Sequence, residues 1–143
     1  GMEAEYPGEV DSATVPRPGA KNVKLAGQRH PVTGIPFDER GFPIFDDIAA
    51  FDTRLPSGAY TVADSDLHME EATRQLRQAL ERGQVSEARF SAAQLAVITR
   101  EPPPTKIPGY TWHHHQELGR MQLVPSDIHA KTGHTGGMHG WFE

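Results

Sequence analysis

The chain has 143 residues, 36% of them hydrophobic, with 14 glycines, 12 prolines and no cysteine. That describes one loop-rich domain with room for a modest core and no disulfide framework. A formal charge of −5 counts against a uniformly basic nucleic-acid binder. No apolar run approaches a membrane span, and the N-terminus lacks the basic-then-apolar order of a signal peptide, so neither is expected.

In chain order, residues 1–20 are polar, proline-containing and aperiodic, and read as a linker or extended arm before a single domain over 21–143. Lys21 to Leu25 reads as a short strand. From Gln28 to Phe45, Pro31, Gly34, Pro36, Gly41 and Pro43 interleave with Val32, Ile35, Phe37, Phe42, Ile44 and Phe45. Such a segment has few ways to form regular structure and is expected to pack over the core. His30 is expected at the surface or hydrogen-bonded, and Arg29, Asp38 and Arg40 in a loop ion pair rather than on phosphate. Asp46 to Phe51 reads as a short helical turn, and Tyr60-Thr61-Val62 as a short strand or extended link.

The middle carries helical periodicity. Met69, Ala72, Leu76, Ala79 and Leu80 share one face of a helix over Leu67 to Arg82, with Asp64, Ser65 and Asp66 as N-caps and Gly83 as its stop. Its charges, Glu70, Glu71, Arg74, Arg77, Glu81 and Arg82, read as a solvated face, and His68 as exposed. A second helix is expected from Ser86 to about Thr99, with Val85 and Phe90 as a hydrophobic staple and Leu95, Val97 and Ile98 facing the core. Pro102-Pro103-Pro104 then forces an extended approach to the next strand.

Six of the eight histidines fall in the last 31 residues. Tyr110 to Gln116 and Met121 to Val124, joined across Leu118-Gly119, read as a β-hairpin. Strand alternation puts His113 and His115 on one face and Trp112 and His114 on the other. Ser126-Asp127 suits a helix start, and Gly133 suits a left-handed C-cap. On an unbroken helix His129 and His134 would lie roughly 140° apart. They can share an ion only if Gly133 turns the chain through a positive φ.

Trp112-His113-His114, Met121-Gln122-Leu123-Val124-Pro125, His129 and Gly133-His134-Thr135-Gly136-Gly137 resemble the WHH branch of the HNH/endonuclease VII (His-Me finger) nucleases. His30 to Asp38 and Gly41-Phe42-Pro43 resemble further segments of these toxins. The branch is similar to colicin-type DNases, and the resemblance covers roughly residues 22–47 and 99–141. It implies an α+β fold with a ββα-metal catalytic core at about 109–135 and supporting helices. It also implies His113, His129 and His134 as metal ligands, His114 as general base and Gln122 as the amide that orients it. His115 and His139 stand in reserve for the base and the third ligand. Two departures from the pattern are the five-residue spacing of His129 and His134, and glutamine where asparagine is usual.

The activity that the resemblance implies is that of a metal-dependent endonuclease acting on DNA, with RNA as the alternative substrate. It would be the toxin part of a larger bacterial antagonism protein, delivered by a secretion system into a target-cell cytoplasm and neutralised by a cognate immunity protein. Imidazole ligands favour zinc or nickel over magnesium or manganese, and a neutral imidazole can take a proton from water near neutral pH. Residues 99–135 carry a net charge of +1 and the remainder −6, so the histidine region is the less acidic part. The competing class is a non-catalytic metal-stabilised binding module, which the lack of cysteine disfavours.

Overall fold

A computed structural model describes residues 23–133. Its organising unit is a three-stranded antiparallel sheet with order β1-β3-β2, where β1 is Phe51–Arg54, β2 Tyr110–His114 and β3 Arg120–Pro125. The helices are α1 (Ser57–Tyr60), α2 (Ser65–Glu81), α3 (Ala92–Ile98) and α4 (Ser126–Thr132). The fold is therefore α+β, and its last three elements run strand, turn, strand, short helix.

The register assigns each side chain to a face. Phe51 and Trp112 pair with Leu123, while Thr53 and His114 pair with Met121. This face packs on α2: Trp112, Met121 and Leu123 join Met69, Ala72 and Leu76 in one buried cluster. Trp112 Nε1 donates to Thr73 Oγ1 at 3.0 Å, so the indole N–H keeps a partner after losing water. On the opposite face His113 and Asp52 both pair with Gln122, and Thr111 pairs with Val124. Val124 buries there against Ile35 and Phe45, with Ile48 and Ile128 at the edge. The turn-rich segment thus covers the second face of the sheet, as its apolar residues require.

Several elements follow their expected caps. Asp64 accepts from the Asp66 and Leu67 amides at the start of α2. Ser91 and Gln94 form a reciprocal capping box on α3. Gly119 closes the hairpin at φ 81°, where a Cβ would lie 2.9 Å from the Tyr60 ring. Gly133 has φ 118° and ψ 163°. This is the positive φ expected, but in an extended region open essentially to glycine rather than the left-handed helical one.

Other expectations are corrected. Val23–Leu25 is a 3-10 turn, not part of a strand. Asp46 to Ile48 does turn, but Phe51 begins β1, and Tyr60 ends a helix rather than forming a strand. The helix expected from Ser86 is two pieces, a 3-10 turn at Glu87–Arg89 and then α3, because Phe90 is extended (φ −125°, ψ 147°) as it turns into the core. Ser126 does not cap α4: its hydroxyl bonds Thr111 Oγ1 at 2.8 Å, and Pro125 holds the N-cap position. His68 is fully buried, not exposed. Asp38 binds the amides of Arg40 and Phe42 and the side chain of Gln116, and Arg40 lies over the Phe42 ring, in place of the expected ion pair. The expected arm at 1–20, the expected third ligand His134, the loop after it, the expected reserve ligand His139 and the aromatic tail at Trp141 and Phe142 lie outside the described residues.

Candidate active site

His113, next to the end of β2, points to the face covered by α4. Its Nδ1 lies 3.2 Å from Nε2 of His129, on the second turn of that helix. Both rings are buried. Phe45 meets His113 edge-on at 4.9 Å and stacks on His129 at 5.4 Å, closing the pair off from water. Burial first, and then the neighbouring His129 and His115, hold the His113 pKa well below the ordinary histidine value. The ring is neutral, as a metal ligand must be. Two nitrogens at zinc-ligand distance and tetrahedral angle lie about 3.3 Å apart, so the observed separation fits two ligands of one ion. Among the described residues no third His, Cys, Asp or Glu completes the set.

Next to this pair is a polar network. Gln122 Nε2 donates to Asp46 Oδ1 and to Asp52 Oδ2, each at 2.9 Å. Arg120 reaches the same carboxylates, with Nε 2.9 Å from Asp52 Oδ1 and one terminal nitrogen 2.6 Å from Asp52 Oδ2 and 3.1 Å from Asp46. Its other terminal nitrogen donates to Glu117 at 3.1 Å. Burial would raise the Asp52 pKa, but the hydrogen bonds from Arg120 and Gln122 outweigh it and lower the value. Arg120 is correspondingly raised, chiefly by Asp52. This arginine is saturated by carboxylates.

His115 shares the face, its ring 6.5 Å from that of His113. Its Nδ1 accepts from the Glu117 amide at 2.9 Å, and its Nε2 lies 3.3 Å from Arg120 and 4.0 Å from Asp46. Burial, then Arg120, lowers its pKa.

His114 is not brought to this face. It lies behind the sheet with Trp112, fully buried, its Nε2 3.2 Å from Nδ1 of His68 on α2. His68 Nε2 meets the carbonyls of Val62 at 2.7 Å and Ala59 at 3.2 Å, and must donate to them. Its Nδ1 is then an acceptor, and His114 donates to it. His30 also lies apart from the site: its Nδ1 accepts from the Val32 and Thr33 amides, which makes it a loop-forming residue.

The family of DNase/tRNase domains of colicin-like bacteriocins matches residues 35–136, which include every residue of this face. The chain belongs to that family. It is a nuclease toxin domain of the bacteriocin type, as its histidine block led us to expect. A search of curated proteins found no match.

Within this colicin-DNase domain, sequence reasoning grouped His113 with His129 but assigned Gln122 to His114, whereas Gln122 lies opposite His113; it missed Asp46, Asp52 and His68. Asp52 had one local signal. In Phe51-Asp52-Thr53-Arg54 burial alternates along the strand, but two of the four residues are charged and the run is too short for its period to stand out.

Proposed function

We propose that this domain is a metal-dependent endonuclease of the WHH type that hydrolyses phosphodiester bonds in DNA. His113 and His129 would hold a divalent ion, zinc or nickel by ligand type, with His134 as the third ligand. The observation that carries the reading is the buried His113–His129 pair at the spacing of two metal ligands, with burial holding the His113 pKa well below its ordinary value. Charge supports it independently. The cations of this face, Arg54 and Arg120, are both engaged by carboxylates, and with Asp46, Asp52 and Glu117 the group sums to −1. A phosphate would be repelled without added positive charge. A bound divalent ion would neutralise charge on the scissile phosphate and on the leaving oxygen.

For the water proton, the resemblance implies His114, and cost favours His115. Bringing His114 to the metal face would empty a packed site, about 2–5 kcal/mol for a large buried side chain, and break its hydrogen bond with His68. His115 already lies on the face, and turning its ring would give up the Glu117 amide at Nδ1 and the Arg120 contact at Nε2, bonds worth about 1 kcal/mol each. We assign the base to His115. Gln122 then serves the site through His113 rather than through the base.

We further propose that the domain acts within a larger toxin. We propose delivery by a bacterial secretion system into a target-cell cytoplasm, and neutralisation by a cognate immunity protein.

The test incubates metal-free protein with plasmid and with total RNA, restoring zinc, nickel, magnesium or manganese in turn. Metal-dependent plasmid loss is expected. Degradation of RNA alone would keep the site and change the substrate. No cleavage with any ion, with zinc still raising the melting temperature, would replace the enzyme reading with a metal-stabilised binding module.

A further inference from the structure

Two buried polar atoms on this face lack a hydrogen-bond partner among the described residues: His113 Nε2 and Gln122 Oε1. They belong to residues directly opposite one another on β2 and β3. One is a ring nitrogen and the other can only accept. The amide orientation of Gln122 is chemically forced, because only an NH2 group can face the two carboxylates of Asp46 and Asp52. Those carboxylates lie on and beside β1, and β3 runs between β1 and β2. With Nε2 turned to the acids, Oε1 is the end of the amide left for another partner, and the residue directly opposite on β2 is His113.

His113 directs Nδ1 at His129. A neutral histidine that ligates through Nδ1 carries its proton on Nε2, and metal-bound histidines nearly always give that second N–H to an acceptor. From this we infer that Gln122 is a positioning residue. With the ion bound, its Oε1 would accept the Nε2–H of His113, a hydrogen bond the structure does not make, fixing the tautomer that turns Nδ1 to the ion, while Asp46 and Asp52 hold the amide the right way round. The chain runs from carboxylate to amide to imidazole, and it accounts for both orphaned atoms at once. Arg120 belongs to it indirectly, because it anchors the carboxylates. This inference rests on the metal site proposed above.

The experiment titrates zinc into the metal-free full chain against a coloured chelator, for the wild type, His113→Ala, Gln122→Leu and Asp52→Asn. His113→Ala is expected to lose the site. Gln122→Leu should weaken zinc binding about 10–100-fold, the usual effect of removing an outer-shell partner, and Asp52→Asn should weaken it by a smaller factor. Nitrogen NMR of the zinc-loaded wild type should find His113 protonated at Nε2. That measurement and Asp52→Asn decide the matter if the buried Gln122→Leu variant does not fold. Wild-type zinc affinity in both Gln122→Leu and Asp52→Asn overturns the inference and leaves the metal site standing, whereas a proton on His113 Nδ1 in the zinc-loaded protein excludes that nitrogen as a ligand and overturns the inference together with the site geometry it rests on. No zinc binding by the wild type, or binding unchanged in His113→Ala, removes the metal site and the inference with it.

Discussion

Nδ1 of His113 lies 3.2 Å from Nε2 of His129, with Phe45 packed against both rings. Sixteen residues of sequence separate them, and what joins them is the turn from β3 directly into α4. Two buried imidazoles within hydrogen-bonding distance share one proton by themselves and would be held more strongly around a cation. His129→Ala should therefore abolish the zinc-induced rise in melting temperature. It should also cut cleavage by more than about 100-fold, beyond what losing an outer-shell partner costs. Full cleavage by His129→Ala would remove it from the site.

The base assignment separates His114 from His115. His115→Ala should keep zinc affinity and lose about 10²–10⁴-fold in cleavage rate, the usual contribution of a positioned acid or base. His114→Ala should instead lower stability, by about 2–5 kcal/mol for a truncated buried side chain. A His114→Ala protein that folds and binds zinc but cannot cleave would return the base to His114.

Stability of the metal-free protein should fall with acid. Burial depresses the pKa of His113 and His114, and that of His68 more mildly, below the 6.5 of an unfolded chain. Below that value the unfolded state binds more protons than the folded one, so stability is full above about pH 6.5 and declines as pH drops toward the folded values. The limiting slope is about 1.4 kcal/mol per pH unit for each such histidine. Urea midpoints measured between pH 7.5 and 5 test this, and a flat profile would contradict the buried neutral assignments.

Gly133→Ala should be costly out of proportion to its size. At φ 118° and ψ 163° an alanine is strained, by about 1–3 kcal/mol. Relief of that strain would redirect the chain leaving α4. Loss of both stability and zinc affinity is expected; calorimetry together with the zinc titration reads both.

Thr73→Val isolates the supporting face. It strips the buried Trp112 indole N–H of its acceptor, at about 1–3 kcal/mol. Cleavage at a temperature where the variant remains folded should be unchanged, because the His113–His129 face lies across the sheet.

The sequence by itself determined what short-range periodicity encodes. Alternation in Tyr110 to His114 separated His113 from His114, the 3.6-residue spacing from Met69 to Ala79 marked α2, and the histidine block with Gln122 and His129 pointed to the nuclease family. What those local patterns could not carry is contact across the chain. Asp52 and Asp46 reach Gln122 over 70 and 76 residues, and His68 reaches His114 over 46. Only the pairing of β1 beside β3 and the docking of α2 on the far face bring them together. Which histidine of the run shares a face with Asp52 and Gln122 was legible from strand geometry. Which polar groups tune it was decided by tertiary structure, because desolvation and hydrogen bonding depend on what packs against a side chain, not on its neighbours in sequence.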